Sequence, residues 1–108
     1  MIAQSQVKGC IQQMPYVRLS IVKPRTGQSA RVQELMEKLN EYSLSQPGCA
    51  SSMVLKPHDN SGEIARISVY DNEQSAEHIA NSAHVMALRS ELHLASEPGH
   101  VERAFFSE

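Results

Sequence analysis

Seven residues, Ile64, Ala65, Arg66, Ile67, Ser68, Val69 and Tyr70, alternate in character and run directly into a helix start. Side chains on a strand point to opposite sides in turn, so this run has two unlike faces. Ala65, Ile67 and Val69 make an apolar face; Arg66, Ser68 and Tyr70, with Ile64, make a mixed one. Residues Tyr16, Val17, Arg18, Leu19, Ser20, Ile21 and Val22 repeat the pattern, with Val17, Leu19 and Ile21 opposed to Tyr16, Arg18, Ser20 and Val22. Pro24 ends that strand, because proline donates nothing to a ladder. Two such strands demand partners on both sides and therefore fix the rest of the fold.

The intervening elements supply those partners. Val32, Leu35, Met36, Leu39 and Tyr42 recur at the spacing of an amphipathic helix, with Arg31, Glu34, Glu37, Lys38 and Glu41 on its wet side. Pro47-Gly48 closes it. A strand over about residues 49–56 meets one over about residues 63–70 across a loop dense in turn formers, Pro57, Asp59, Asn60 and Gly62, which predicts an antiparallel hairpin. Asp71 with Gln74 has the form of a capping box. Helical spacing then extends over about residues 74–95, breaking near Ser82, and residues 101–106 form a last strand after Pro98-Gly99. The order is βαββαβ, the α+β ferredoxin-like arrangement with a four-stranded antiparallel sheet. Residues 1–14 are glutamine-rich and aperiodic and are expected to form a flexible extension; residues 15–108 are the folded domain. Helices cover one face of such a sheet. Apolar side chains occur on both faces, which predicts a homodimer with sheets packed face to face and leaves open which face meets the helices.

The 108 residues carry a formal net charge of -2, so there is no basic surplus to neutralise phosphates and no reason to expect nucleic acid as a partner. No apolar run is long enough to cross a bilayer, and the first residues lack the pattern of a secretion signal, so no membrane partner and a cytoplasmic location are expected. Cys10 and Cys49 make neither a disulfide framework nor a zinc site, and Cys49 reads as a buried, inert thiol. No two histidines stand at the i,i+4 spacing of a zinc-binding helix, and there is no phosphate-cradling glycine loop or Gly-x-Ser-x-Gly turn. Metal-dependent, nucleotide and nucleophilic hydrolase chemistry find no support.

The mixed face holds the polar candidates. Arg18, Ser20, Arg66, Ser68 and Tyr70 project to one side of the sheet, where unpaired buried polar groups would cost about 1–3 kcal/mol each. They therefore form a satisfied network or line a cavity for a ligand; otherwise the arginines lie near strand ends and reach solvent or acidic partners. His58, His78, His93 and His100 are placed by turns, an outer helix side or chain exits, where solvation accounts for them.

The passage from Ile64 to His84, together with Gln46-Pro47-Gly48-Cys49 and residues 101–106, resembles the antibiotic biosynthesis monooxygenase family over roughly residues 16–106. That resemblance implies a dimeric α/β barrel. It also implies oxidation of small phenols or quinols by O₂ without metal, flavin or haem, the deprotonated substrate itself supplying the electron. Carried onto this chain, it makes His84 the group assisting deprotonation, with Tyr70 flanking the pocket and Arg18 or Arg66 stabilising negative charge. Ser20, Tyr42, Ser68 and Asn81 become substrate-binding candidates. The haem-degrading branch of the superfamily fits less well. There is no tryptophan, Tyr70 stands where the indole is expected, Ser20 lies close to the place of an asparagine, and Asn81 stands near the place of the haem ligand. An isomerase or a non-catalytic binding domain of the same fold is the alternative.

Overall fold

A computed structural model of the chain describes residues 14–107. Apart from Met14, the extension expected over residues 1–14 lies outside the described residues, as does Cys10. The elements are β1 (Tyr16–Val22), α1 (Ser29–Leu44), β2 (Cys49–Leu55), β3 (Ile64–Tyr70), α2 (Glu73–Ala80), α3 (Ala83–Ala95) and β4 (Val101–Phe106). The strands form one antiparallel sheet in the order β2-β3-β1-β4, the ferredoxin-like arrangement.

The second helical region divides in two because Ser82 restarts the helix. Its hydroxyl accepts from the Val85 amide at 3.3 Å and donates to the Ile79 carbonyl at 2.8 Å, so one residue ends α2 and caps α3. The start of α2 differs by one residue from the expected Asp71–Gln74 box. Asn72 is the cap, its side-chain oxygen accepting from the Ser75 amide at 2.9 Å. Asp71 is held instead in the turn ahead of the helix, where its amide donates to the Gly48 carbonyl at 2.8 Å.

Gly48 makes that junction possible. Its φ of +89° lies in the left-handed region, and a Cβ placed on it would stand 2.4 Å from the Ser75 hydroxyl oxygen. Gly48→Ala is therefore expected to lower stability by more than about 1 kcal/mol, measured by chemical denaturation, through both backbone strain and collision with α2.

The sheet turns its mixed face, not its apolar one, toward the helices. Tyr16, Val22, Ile64 and Tyr70 are buried there against Val32, Leu35, Met36 and Leu39 of α1, Ala76 and Ile79 of α2, and Val85, Leu88, Leu92 and Ala95 of α3. The register stacks this face in four layers: Tyr16 beside Tyr70, Arg18 beside Ser68, Ser20 beside Arg66, and Val22 beside Ile64. Two polar layers thus lie between two apolar ones. The arginines are central on their strands, which removes the expectation that they sit at strand ends.

The other face carries Val17, Leu19, Ile21, Ala65, Ile67 and Val69 across the central pair, flanked by Ser51, Met53 and Leu55 on β2 and by Val101, Arg103 and Phe105 on β4, the Arg103 guanidinium lying over the Phe105 ring. Met53 is 53% exposed and Phe105 45% exposed. Apolar surface of this extent is unusual on an isolated domain. Among the described residues, no helix is long and apolar enough to cross a membrane.

Candidate active site

The two polar layers open onto a narrow cavity of about 40 Å³ between the sheet and the helices. Four residues selected from the sequence, Arg18, Ser20, Arg66 and Tyr70, line it. Ser43 of α1, Arg89 of α3 and Glu102 of β4 join them, and Leu39, Ile79, Val85 and Leu92 supply apolar walls. That is room for a few water molecules, well short of the roughly 150 Å³ of an apolar cavity that takes benzene. An aromatic ligand therefore enters only as a wall moves.

Three guanidinium groups border this space, and their partners differ. Arg18 donates to Glu77 of α2 at 2.7 Å and lies 5.4 Å from the centre of the Tyr16 ring. Arg89 donates from one nitrogen to both oxygens of Glu102, at 3.0 and 2.7 Å. Glu102 also lies 3.2 Å from Nε2 of His100, whose ring meets that of His93 edge to face with centroids 4.5 Å apart. These two histidines thus pack on one another and on the site's margin, a placement that their positions near chain exits did not reveal.

Arg66 is different. Its Nη1 donates to Ser68 at 2.7 Å, and to Ser43 and Ser52 at 3.4 Å each. Ser52 donates in turn to the Asn40 side-chain oxygen at 2.5 Å, and its hydroxyl lies 2.8 Å from that of Ser68. Since Ser52 spends its proton on Asn40, Ser68 is the donor between the two serines, and its lone pair is free for Arg66. The guanidinium is thus held by neutral hydroxyls. Among the described residues no carboxylate forms an ion pair with it. Its Nε is buried with no hydrogen-bond partner.

Ser68 therefore binds Arg66 rather than standing free toward a ligand. Tyr42 and His84 stack on each other, with ring centroids 4.4 Å apart and an angle of 28°, on the flank between α1 and α3. His84 is exposed and is not among the residues lining the cavity. The reason is helical geometry: Val85 turns its side chain into the core, and each residue along the helix rotates by about 100°, which swings the preceding position toward α1. Asn81 is likewise exposed at the end of α2, bordering a shallow surface groove with Met86, His93 and Leu94. Cys49 borders the core close to Arg66; burial pushes its thiol up, with the nearby guanidinium pulling the other way, so it stays protonated and inert near neutral pH.

Asn40, Ser43, Ser52, Arg89 and Glu102 were not anticipated. Ser43 had a signal: it continues the stripe Val32, Leu35, Met36, Leu39 at the next four-residue step, a hydroxyl where an apolar side chain belongs. Ser52 also had one, since the hairpin register sets it opposite Ser68.

A βαββαβ sheet with helices over a polar cavity is a frame shared by many proteins, and comparison with known ones narrows it. The model of the family described as "Antibiotic biosynthesis monooxygenase" matches residues 15–91. The chain belongs to this family. Among solved structures, a conserved protein from Methanosarcina mazei Go1 is 13% identical, with a TM-score of 0.82 over 90% of this chain and 96% of that one. Rv0793 from Mycobacterium tuberculosis is 14% identical, with a TM-score of 0.78 over 84% of this chain and 92% of that one. SnoaB, a cofactor-independent oxygenase from Streptomyces nogalater, is 13% identical, with a TM-score of 0.77 over 88% of this chain and 94% of that one. At such identities the likeness is one of fold. No curated protein matches the chain.

Proposed function

We propose that this member of the antibiotic biosynthesis monooxygenase family is a homodimeric, cofactor-independent monooxygenase of small phenols or quinols. The observation that carries the reading is Arg66: a half-buried guanidinium at a cavity, held in place by serines and neutralised by no carboxylate among the described residues. A fixed positive charge in a poorly solvated site favours the ionised form of a nearby acid. It thus lowers the cost of turning a phenol into a phenolate, the form that gives an electron to O₂.

The overall reaction balances without an external reductant. A phenol loses its hydroxyl proton and one ring hydrogen, gains one oxygen atom and becomes a quinone; the second oxygen atom leaves as water. Four electrons pass from the substrate to O₂. Arg66 stabilises the anion, and Tyr70 and Ser20 border it on the sheet. His84 does not line the cavity, so we assign it proton uptake only through intervening water or after the first turn of α3 shifts. Substrate enters by displacement of α2, which has only Ala76 and Ile79 buried and meets β1 through the solvent-exposed Arg18–Glu77 pair, worth less than about 1 kcal/mol.

An oxygen electrode decides the matter. With 1-naphthol, 1-hydroxy-2-naphthoate and naphthalene-1,4-diol as substrates and EDTA present, the purified protein is expected to consume O₂ catalytically. In ¹⁸O₂, one labelled atom should appear in the quinone. Tight binding of these compounds with no oxygen uptake above the uncatalysed rate would exclude an oxygenase and leave an isomerase or a binding domain.

A further inference from the structure

We infer that Arg66 is the docking site for a carboxylate, and that the aromatic ligand of this cavity is a phenolic acid. The inference rests on the proposed oxygenase reading only for the chemistry after binding; the binding site stands on the arrangement of Arg66 itself.

A guanidinium offers five N–H donors on a planar fork. On Arg66 the three serine hydroxyls converge on one nitrogen, Nη1. The opposite edge, Nε and Nη2, is left over: Nε is buried and unpartnered, and Nη2 has no hydrogen bond among the described residues. Those two donors run parallel and match the two oxygens of a carboxylate, the bidentate pairing for which arginine is suited and lysine is not. A phenolate presents one oxygen and leaves half of that edge unfilled.

Charge points the same way. Arg18 is paired with Glu77 and Arg89 with Glu102, so the surplus at the cavity is the single charge of Arg66, which one carboxylate neutralises. Leu39, Ile79, Val85 and Leu92, on the helix side of the same cavity, provide the apolar surface that an aromatic ring requires.

The test is calorimetric titration with three probes sharing one ring system: 1-hydroxy-2-naphthoate, 1-hydroxy-2-naphthamide and 1-naphthol. The acid is expected to bind at least tenfold more tightly than the amide or the naphthol. Arg66→Gln should bring the acid down to the level of the amide. Arg66→Lys, which keeps the charge and loses the fork, should fall between; it carries the test if Arg66→Gln fails to fold by circular dichroism. Equal affinity of the wild type for acid and amide would overturn the inference, as would a folded Arg66→Gln protein that still prefers the acid. An intact preference for the acid with no oxygen uptake would leave the carboxylate site standing and remove the oxygenase. Turnover of 1-naphthol with no preference for the acid would do the reverse.

Discussion

Replacing Ile67 with lysine is expected to convert the proposed homodimer to a monomer of 12.0 kDa. Ile67 lies mid-strand on the uncovered sheet face, with Leu19 beside it on β1 and Met53 beside it on β2. If a second copy covers this face, two-fold symmetry brings each substitution in twice. Burying an ammonium without a partner costs several kcal/mol per ion even after relaxation. Since each 1.4 kcal/mol is a factor of ten, dimer affinity should fall by about 10³-fold or more. Light scattering and sedimentation velocity measure the change. Glu41→Lys, a change of two charge units against one for Ile67→Lys but on the exposed side of α1, should leave the dimer intact. A wild-type protein that is itself a stable monomer would remove the dimer from the proposed function.

The position of that face has a consequence for the site. The cavity is built from the side of the sheet that meets the helices, so in a face-to-face dimer the two cavities lie on the far sides of the paired sheets. Each is furnished by a single chain. Dissociation should therefore act on the site through sheet stability, not through loss of lining residues.

The alternation on β1 and β3 sorted their residues into the two faces that the structure shows, and the βαββαβ order followed from helical and strand spacing alone. What alternation does not carry is direction. Hydropathy by itself would press Val17, Leu19, Ile21, Ala65, Ile67 and Val69 against helices, whereas these residues point away from them and the arginines point in. The same gap appears at His84. Its place at the start of α3 could be read from the sequence, but one step along a helix separates the core-facing Val85 from a residue on the flank. The network around Arg66 was hidden for a different reason. Serine is common on surfaces, and only knowledge of the α1 stripe and the β2–β3 register brings Ser43, Ser52 and Ser68 to one guanidinium nitrogen.

Among side-chain changes affecting turnover, Arg66→Gln is expected to have the largest effect, lowering kcat/KM for oxygen-dependent oxidation by about 10²-fold or more. Removing one preorganised donor from a developing oxyanion typically costs about 10²–10³ in rate, and Arg66 brings a full charge as well as its donors. Glutamine keeps a polar side chain near the serines, so the loss reports charge and fork geometry more than a hole in the packing. His84→Ala should act more weakly, by about tenfold. A base in direct contact with its proton contributes about 10²–10⁴-fold, and an exposed imidazole stacked on Tyr42 works only through water. His58→Ala, in the exposed β2–β3 turn, should leave the rate unchanged. The order of these three effects is the informative quantity, read from initial rates at saturating O₂ with each variant's fold checked by circular dichroism. A loss at His84 that equals or exceeds the loss at Arg66 would place the imidazole in contact with the substrate and require α3 to move at its first turn when substrate binds. Full activity in Arg66→Gln would leave the serine-held cation without a catalytic role and overturn the proposed mechanism.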